Sequence, residues 1–130
     1  MSLLDTAFGV SPLTLRYRSE RSAQLAANIA NAATPGYLAK DYDFDSALRH
    51  AIAGSESTLH SEHPHHIPVQ GQGEFGDTLY RVPTKAVSNG NTVEEEIEQA
   101  AFSENALRYQ SSLQFLNGSI RSLRLAIKGE

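Results

Sequence analysis

NIANAATPGY, residues 28–37, begins as an alanine-rich helix and ends in a turn. A residue that precedes proline is pushed out of helical geometry, so the helix is predicted to stop at Thr34. Pro35 suits the first central position of a turn, and Gly36 supplies the positive φ that a type II turn needs next. Tyr37 is thereby aimed in a new direction. Asn28 and Asn31 lie three apart on one helix face, placed to bond the carbonyls freed at the helix end or a neighbouring chain.

Working back toward the N-terminus, positions 4, 8, 11, 15, 18, 22, 25, 29 and 32 step by four and three and include Leu15, Leu25 and Ile29. This is a weak version of a coiled-coil seam. Ser11-Pro12 reads either as an N-cap with a first-turn proline or as a kink within a longer helix.

The same spacing is far stronger at the other end. Phe102, Ala106, Tyr109, Leu113, Leu116, Ile120, Leu123 and Ile127 are all apolar and form a continuous seam. Thr92 with Glu95 is predicted to make a capping box, and the glutamates from Glu94 to Glu98 a solvated first turn matched to the helix dipole. Arg121, Arg124 and Lys128 crowd the far end, where Gly129 can close the helix. Asn117-Gly118 allows a mild bend.

Length then matters. A helix from Val93 to Lys128 is about 54 Å long at the usual rise. A compact globule of 130 residues is only about 36 Å across. Much of the apolar seam must therefore be buried by the other helix, by other chains, or by both.

Between the helices, Asp43 to Ala53 is predicted to form a short helix with Phe44, Leu48 and Ile52 on its apolar side, capped by Asp41 and Asp43. Thr78 to Val82 is a brief strand stopped by Pro83, and Ser88-Asn89-Gly90-Asn91 a turn. The expected fold is mainly α: long N-terminal (1–33) and C-terminal (91–130) helices pair as a coiled-coil-like bundle. The middle segment, 34–90, is mixed and loop-rich with at most short β strands. All three parts form one structural domain.

Composition narrows the function classes. The net charge of -4 is spread along the chain, with no basic stripe for a nucleic-acid backbone. No apolar run approaches the ~20 residues of a membrane span. There are no cysteines, hence no disulfide and no thiolate metal site. MSLLDTAFGV lacks the basic and apolar regions of a cleavable secretory signal. His60, His63, His65 and His66, with Glu56 and Glu62, are the one set that could gather a metal. They lie in a polar, proline-containing loop without paired helical spacing, so a solvated or interface loop is the expectation. Asp41, Asp43 and Asp45 begin like a calcium loop, but Ser46 and Ile52 stand where it needs glycine and glutamate. No cofactor and no catalytic residue are expected.

The motif N-x-A-N-x-x-T-P-G-Y closing an N-terminal helix resembles the signature of the bacterial flagellar axial proteins, the rod and hook family. Asn28, Ala30, Asn31, Thr34, Pro35, Gly36 and Tyr37 fill each marked position. AKDYDF (39–44), His66 to Gln70, Tyr80 to Pro83, Gly90 to Val93, and Asn105, Leu107 and Tyr109 are similar to the proximal-rod branch of that family, in the same order. Lys40 stands where arginine is usual, and Ser88-Asn89 replaces an aspartate-bearing approach to Gly90.

The resemblance implies a structural subunit whose terminal helices pair and stack into an axial tube, with 34–90 making lateral contacts. It implies as partners copies of the chain, other rod subunits, the basal-body adaptor that joins the rod to the inner ring, and the flagellar type III export apparatus. It further implies synthesis in the cytoplasm, export without cleavage and a place in the basal body across the periplasm. Another rod subunit, a coiled-coil adaptor and a metal-dependent protein built on the histidine loop are the alternatives. An adaptor leaves the TPGY turn unexplained.

Overall fold

The computed structural model describes residues 11–56, 75–85 and 88–129. The histidine loop and any helix before Ser11 lie outside the described residues. The elements in chain order are α1 (Ser11–Ala30), β1 (Lys40–Asp41), α2 (Phe44–Glu56), β2 (Leu79–Tyr80) and α3 (Glu95–Lys128). The architecture is mainly α, as the sequence patterns predict.

α1 and α3 run antiparallel. Asn28 of α1 meets Glu98 of α3, and Arg18 and Ser22, one to three turns earlier, meet Asn105. The 34 residues of α3 span about 51 Å and the 20 of α1 about 30 Å. α3 is continuous through Asn117-Gly118 and closes at Gly129, whose φ of 71° lets its N–H donate to the Leu125 carbonyl at 2.9 Å.

The start of α3 differs from the expected capping box. Glu94 is the N-cap, in extended geometry and without a side-chain cap bond. Thr92 lies outside the helix, and its hydroxyl accepts the Ala39 N–H at 2.7 Å. A fully buried segment at Ala39 needs that acceptor more than a solvated first turn needs a cap.

α2 begins with a true cap. Asp43 accepts the N–H and the hydroxyl of Ser46 at 3.0 and 2.7 Å. Asp41, expected to share that role, turns instead toward α1. The buried face of α2 is also one residue out of phase with the predicted line: Ala47 and Ala51 are buried, while Phe44 and Ile52 are exposed. The two alanines let α2 approach Tyr17 closely, and aromatic rings fill the space. Tyr17 meets the rings of Tyr42, Phe44 and Phe75 edge-on at 6.2, 5.1 and 5.7 Å between centroids. This small core leans on the first half of α1.

β1 and β2 form a two-stranded antiparallel ribbon pairing Lys40 with Tyr80 and Asp41 with Leu79. Strand alternation sends Ala39, Asp41 and Arg81 inward and Lys40 and Tyr80 outward. The Lys40 ammonium lies 5.2 Å from the centre of the Tyr80 ring. The inward side chains reach the place where α1 and α3 meet.

Candidate functional site

The helix-terminating motif folds much as its chemistry requires. The Tyr37 N–H donates to the Thr34 carbonyl at 3.3 Å, and Gly36 has a φ of 72°. Asn31 Nδ2 donates back to the Ala27 carbonyl at 2.8 Å, as a residue placed to satisfy the helix end should. Thr34 Oγ1 donates to Asn31 Oδ1 at 3.2 Å. Ala30 and Pro35 stand exposed on this turn.

The remaining freed carbonyls are met from far along the chain. Asn91, buried, places Nδ2 at 2.9, 2.8 and 2.9 Å from the carbonyls of Asn31, Ala32 and Thr34. Its turn runs beside the first: Gly36 N–H donates to Asn89 O, and Thr92 N–H to Tyr37 O, both at 3.0 Å. A Cβ on Gly90, whose φ is 73°, would come 3.4 Å from the Gly36 Cα. Two glycines thus let two turns touch backbone to backbone. The chain leaves α1 and enters α3 through one hydrogen-bonded junction.

Asn28 sits at the centre of that junction, fully buried. Its Nδ2 donates to the Lys40 carbonyl at 2.7 Å and to Glu98 Oε2 at 3.0 Å. Its Oδ1 accepts from Gln24 Nε2, the Tyr37 hydroxyl and the Lys40 N–H at 3.1, 3.1 and 3.3 Å. Asn28 therefore does not cap its own helix. It binds α1 to the returning chain and to α3.

Glu98, expected on a solvated turn, is fully buried. Its other oxygen lies 3.1 Å from Arg81 Nη1, an ion pair without hydrogen-bond alignment. Arg81 also meets Asp41 Oδ2 at 2.7 Å, and Arg21 clamps both oxygens of Asp41 at 2.8 Å each. Two guanidinium groups and two carboxylates neutralise one another across α1, the ribbon and α3. Burial pushes the Asp41 carboxyl up, but the Arg21 hydrogen bonds and charge, the Tyr42 N–H and Arg81 outweigh it and hold it below its usual range. The hydrogen bond to Asp41 raises Arg21 in turn. An uncompensated charge here would cost several kcal/mol, on the order of 3–5.

Further along the pair of helices, Asn105 is fully buried and donates to the Arg18 carbonyl at 2.8 Å and the Ser22 hydroxyl at 2.7 Å. Asn105 Oδ1 and Arg18 Nε are buried without a hydrogen-bond partner. The interface between the long helices is thus polar at the two α3 positions buried most deeply. Polar interface residues of this kind fix register at a cost in stability.

The predicted seam residues fall beside that buried line. On α1, Leu25 is fully buried within the chain, and Leu15 and Ile29 are half-buried. On α3, Leu116 and Leu123 are half-buried, while Phe102, Ala106, Tyr109, Leu113, Ile120 and Ile127 are exposed. Sequence periodicity missed Glu98, Asn105, Asn91, Asp41, Arg21 and Arg81, because it weighs apolar residues only. Asn105 lies off the apolar seam, between Phe102 and Ala106, and its one signal was its place among the residues similar to the proximal-rod branch.

Among the described residues no group of His, Asp and Glu gathers in metal-holding geometry, and no helix is long and apolar enough to cross a membrane. What the fold and junction define is a helical-hairpin subunit of the axial type. Its N-terminal helix is closed by N-x-A-N-x-x-T-P-G-Y and locked to a longer C-terminal helix. No protein-family model matches the chain. It is 46% identical over 122 residues to the flagellar basal body rod protein FlgB of Cereibacter sphaeroides, covering 94% of each chain. It is 40% identical over 127 residues to that of Aeromonas hydrophila, covering 97% of this chain and 96% of the other. To that of Salmonella typhimurium it is 39% identical over 132 residues, with the same coverage of 97% and 96%. The chain belongs to the FlgB family of flagellar basal body rod proteins. It is a structural subunit of the proximal rod.

Proposed function

We propose that this subunit builds the rod by burying the free faces of its terminal helices against neighbouring subunits, as part of the axial tube that transmits torque and encloses the export channel. The observation that carries the reading is the surface of α3. Phe102, Tyr109, Leu113, Ile120 and Ile127 remain exposed along one side, and Leu107, Phe115 and Leu125 beside them. The antiparallel register brings Ser11 level with about residue 114, so about the last 14 residues of α3, some 21 Å, extend past the described end of α1. Burying an apolar side chain contributes about 1.5–3 kcal/mol, so assembly supplies energy that the single chain forgoes.

In this reading the neighbours are copies of the chain, other rod subunits and the adaptor to the inner ring. The subunit reaches its place across the periplasm through the type III export apparatus after synthesis in the cytoplasm. It carries out no catalysis. Segment 34–90 contributes lateral contacts through the outer side of its ribbon, where Leu38, Tyr80 and Val82 are exposed.

The test is far-UV circular dichroism across a concentration series, with sedimentation on the same samples. Helicity that rises as large species appear is the expected result. A fully helical monomer at every concentration overturns the reading.

A further inference from the structure

We propose that the basic end of α3 on one subunit docks into the acidic cleft at the start of α3 on a second copy, joining subunits head to tail. The inference rests on the rod reading above and names a contact within it.

Arg121, Arg124 and Lys128 share one face of α3, spaced by three and four, with Ile120 and Leu125 among them. All five are exposed, and the three cations have no ion-pair partner among the described residues. The helix dipole does not account for them. Its influence fades within the last turn, and of the three only Lys128 lies in that turn. Arg121 and Arg124 are surplus to what the helix end requires.

The opposite end of α3 has the complementary character. Segment 83–85 and the first turn of α3 flank an open cleft of about 710 Å³. Glu94, Glu95, Glu96 and the exposed Ile97 line it, with Lys85 the only cation among the described residues there. Thr84 donates its N–H and hydroxyl to Glu94, which fixes one wall. Glu95 accepts from Gln99 Nε2 at 3.0 Å along the helix, and among the described residues neither Glu95 nor Glu96 forms an ion pair. One turn of helix with its side chains fills about 500 Å³, by the usual pitch and diameter, so the cleft has room for a helix end.

The two surfaces cannot meet within one chain. Glu95 and Arg124 sit about 44 Å apart on a single continuous helix. Docked end to end, the two patches make a heterologous contact, which closes into a ring or runs on as a helix, whereas side-by-side antiparallel pairing of two α3 helices would close as a dimer. A mixed apolar and charged surface at each end also gives the contact a fixed polarity.

Charge reversal tests this in the full chain, with circular dichroism confirming that each variant keeps its helicity. The variants are Arg121→Glu/Arg124→Glu/Lys128→Glu and Glu95→Lys/Glu96→Lys. Each alone is expected to weaken self-association about tenfold or more by sedimentation. Mixing the two restores it, because each chain then offers the other a matched end. Reversed chains that assemble like the wild type, while Leu113→Asp blocks assembly, overturn this contact and leave the rod reading standing. Weakening without rescue on mixing overturns the pairing of these two ends. A wild-type chain that stays monomeric at every concentration overturns both. The cysteine-free sequence allows a second measurement. Glu96→Cys and Arg124→Cys chains, mixed in equal amounts under mild oxidation, should give the 96–124 disulfide well beyond the twofold excess over 96–96 and over 124–124 that random pairing gives. The random ratio overturns the contact.

Discussion

Asn28 of α1 donates a 3.0 Å hydrogen bond to the carboxylate of Glu98, 70 residues away on α3, and both side chains are fully buried. That single contact ties the closing turn of the first helix to the opening turn of the last. It also ties the turn to charge, since Glu98 leads through Arg81 and Asp41 to Arg21.

Glu98→Ala should destabilise the chain by about 3–5 kcal/mol, because it breaks a buried ion pair, leaving Arg81 with Asp41 as its counter-charge and Asn28 with the Lys40 carbonyl as its acceptor. Glu98→Gln keeps an acceptor for Asn28 but loses the ion pair, and should cost less, about 1–3 kcal/mol. Urea unfolding followed by circular dichroism checks both. Equal costs would mean that the hydrogen bond to Asn28 contributes nothing and that the ion pair accounts for the whole loss.

Asn28→Leu removes five hydrogen bonds at one position and should cost at least about 2 kcal/mol. Asn28→Asp also places a carboxylate against Glu98, and should be worse than Asn28→Leu at neutral pH. The same unfolding measurement decides the order of the two.

Asp41 makes stability depend on pH in a definite direction. Its folded pKa is depressed, so its contribution is fully present above the unfolded value, about 3.9, and is lost as pH falls through the folded value. Asp43 and Glu94 are lowered too, through their bonds to Ser46 and Thr84, and act in the same direction. Asp41→Asn should therefore lower stability at pH 7 and flatten its fall below about pH 4. An unchanged acid-unfolding profile in the variant would remove Asp41 from the account.

Gly36 and Gly90 both hold positive φ, so alanine at either should cost about 1–2 kcal/mol in backbone strain. Gly90→Ala should be the worse, because its Cβ meets the Gly36 Cα whereas a Cβ on Gly36 meets open space. Thermal unfolding of the two variants reads the difference directly.

Ile127 is 84% exposed in the single chain, so Ile127→Asp should leave monomer helicity unchanged while weakening assembly about tenfold or more, given 1.5–3 kcal/mol per buried apolar side chain. Leu116→Asp, half-buried already, should abolish assembly and motility. Sedimentation and a swarming assay check the pair. Normal motility in both would argue against an α3 seam.

Much of this protein was legible before any tertiary contact was considered. The length of α3, the Thr34 to Tyr37 turn, the positive φ at Gly36, the Asp43 cap and the Gly129 closure follow from rules that act over one to four residues. Those rules concern steric limits, backbone hydrogen bonds and periodicity, and they hold wherever the segment is placed. The short helix was found too, but with its buried side one residue out of phase. A helix of 13 residues cannot choose between Phe44-Leu48-Ile52 and Ala47-Ala51 until Tyr17 arrives.

Tertiary structure decided the polar side of the molecule. Glu98 and Asn105 look like solvated helix residues because burial of a polar group becomes tolerable only when partners from elsewhere satisfy it. Those partners, Asn28, Arg81, Arg18 and Ser22, come from far along the chain, and no local rule brings them together. Asn91 likewise completes the end of a helix about 60 residues earlier. The sequence by itself determined the helices, the turn and the family to which they belong. Only the folded chain decided which face of α3 is held by α1 and which stays exposed. Hydrogen-bond satisfaction, unlike periodicity, is a property of pairs.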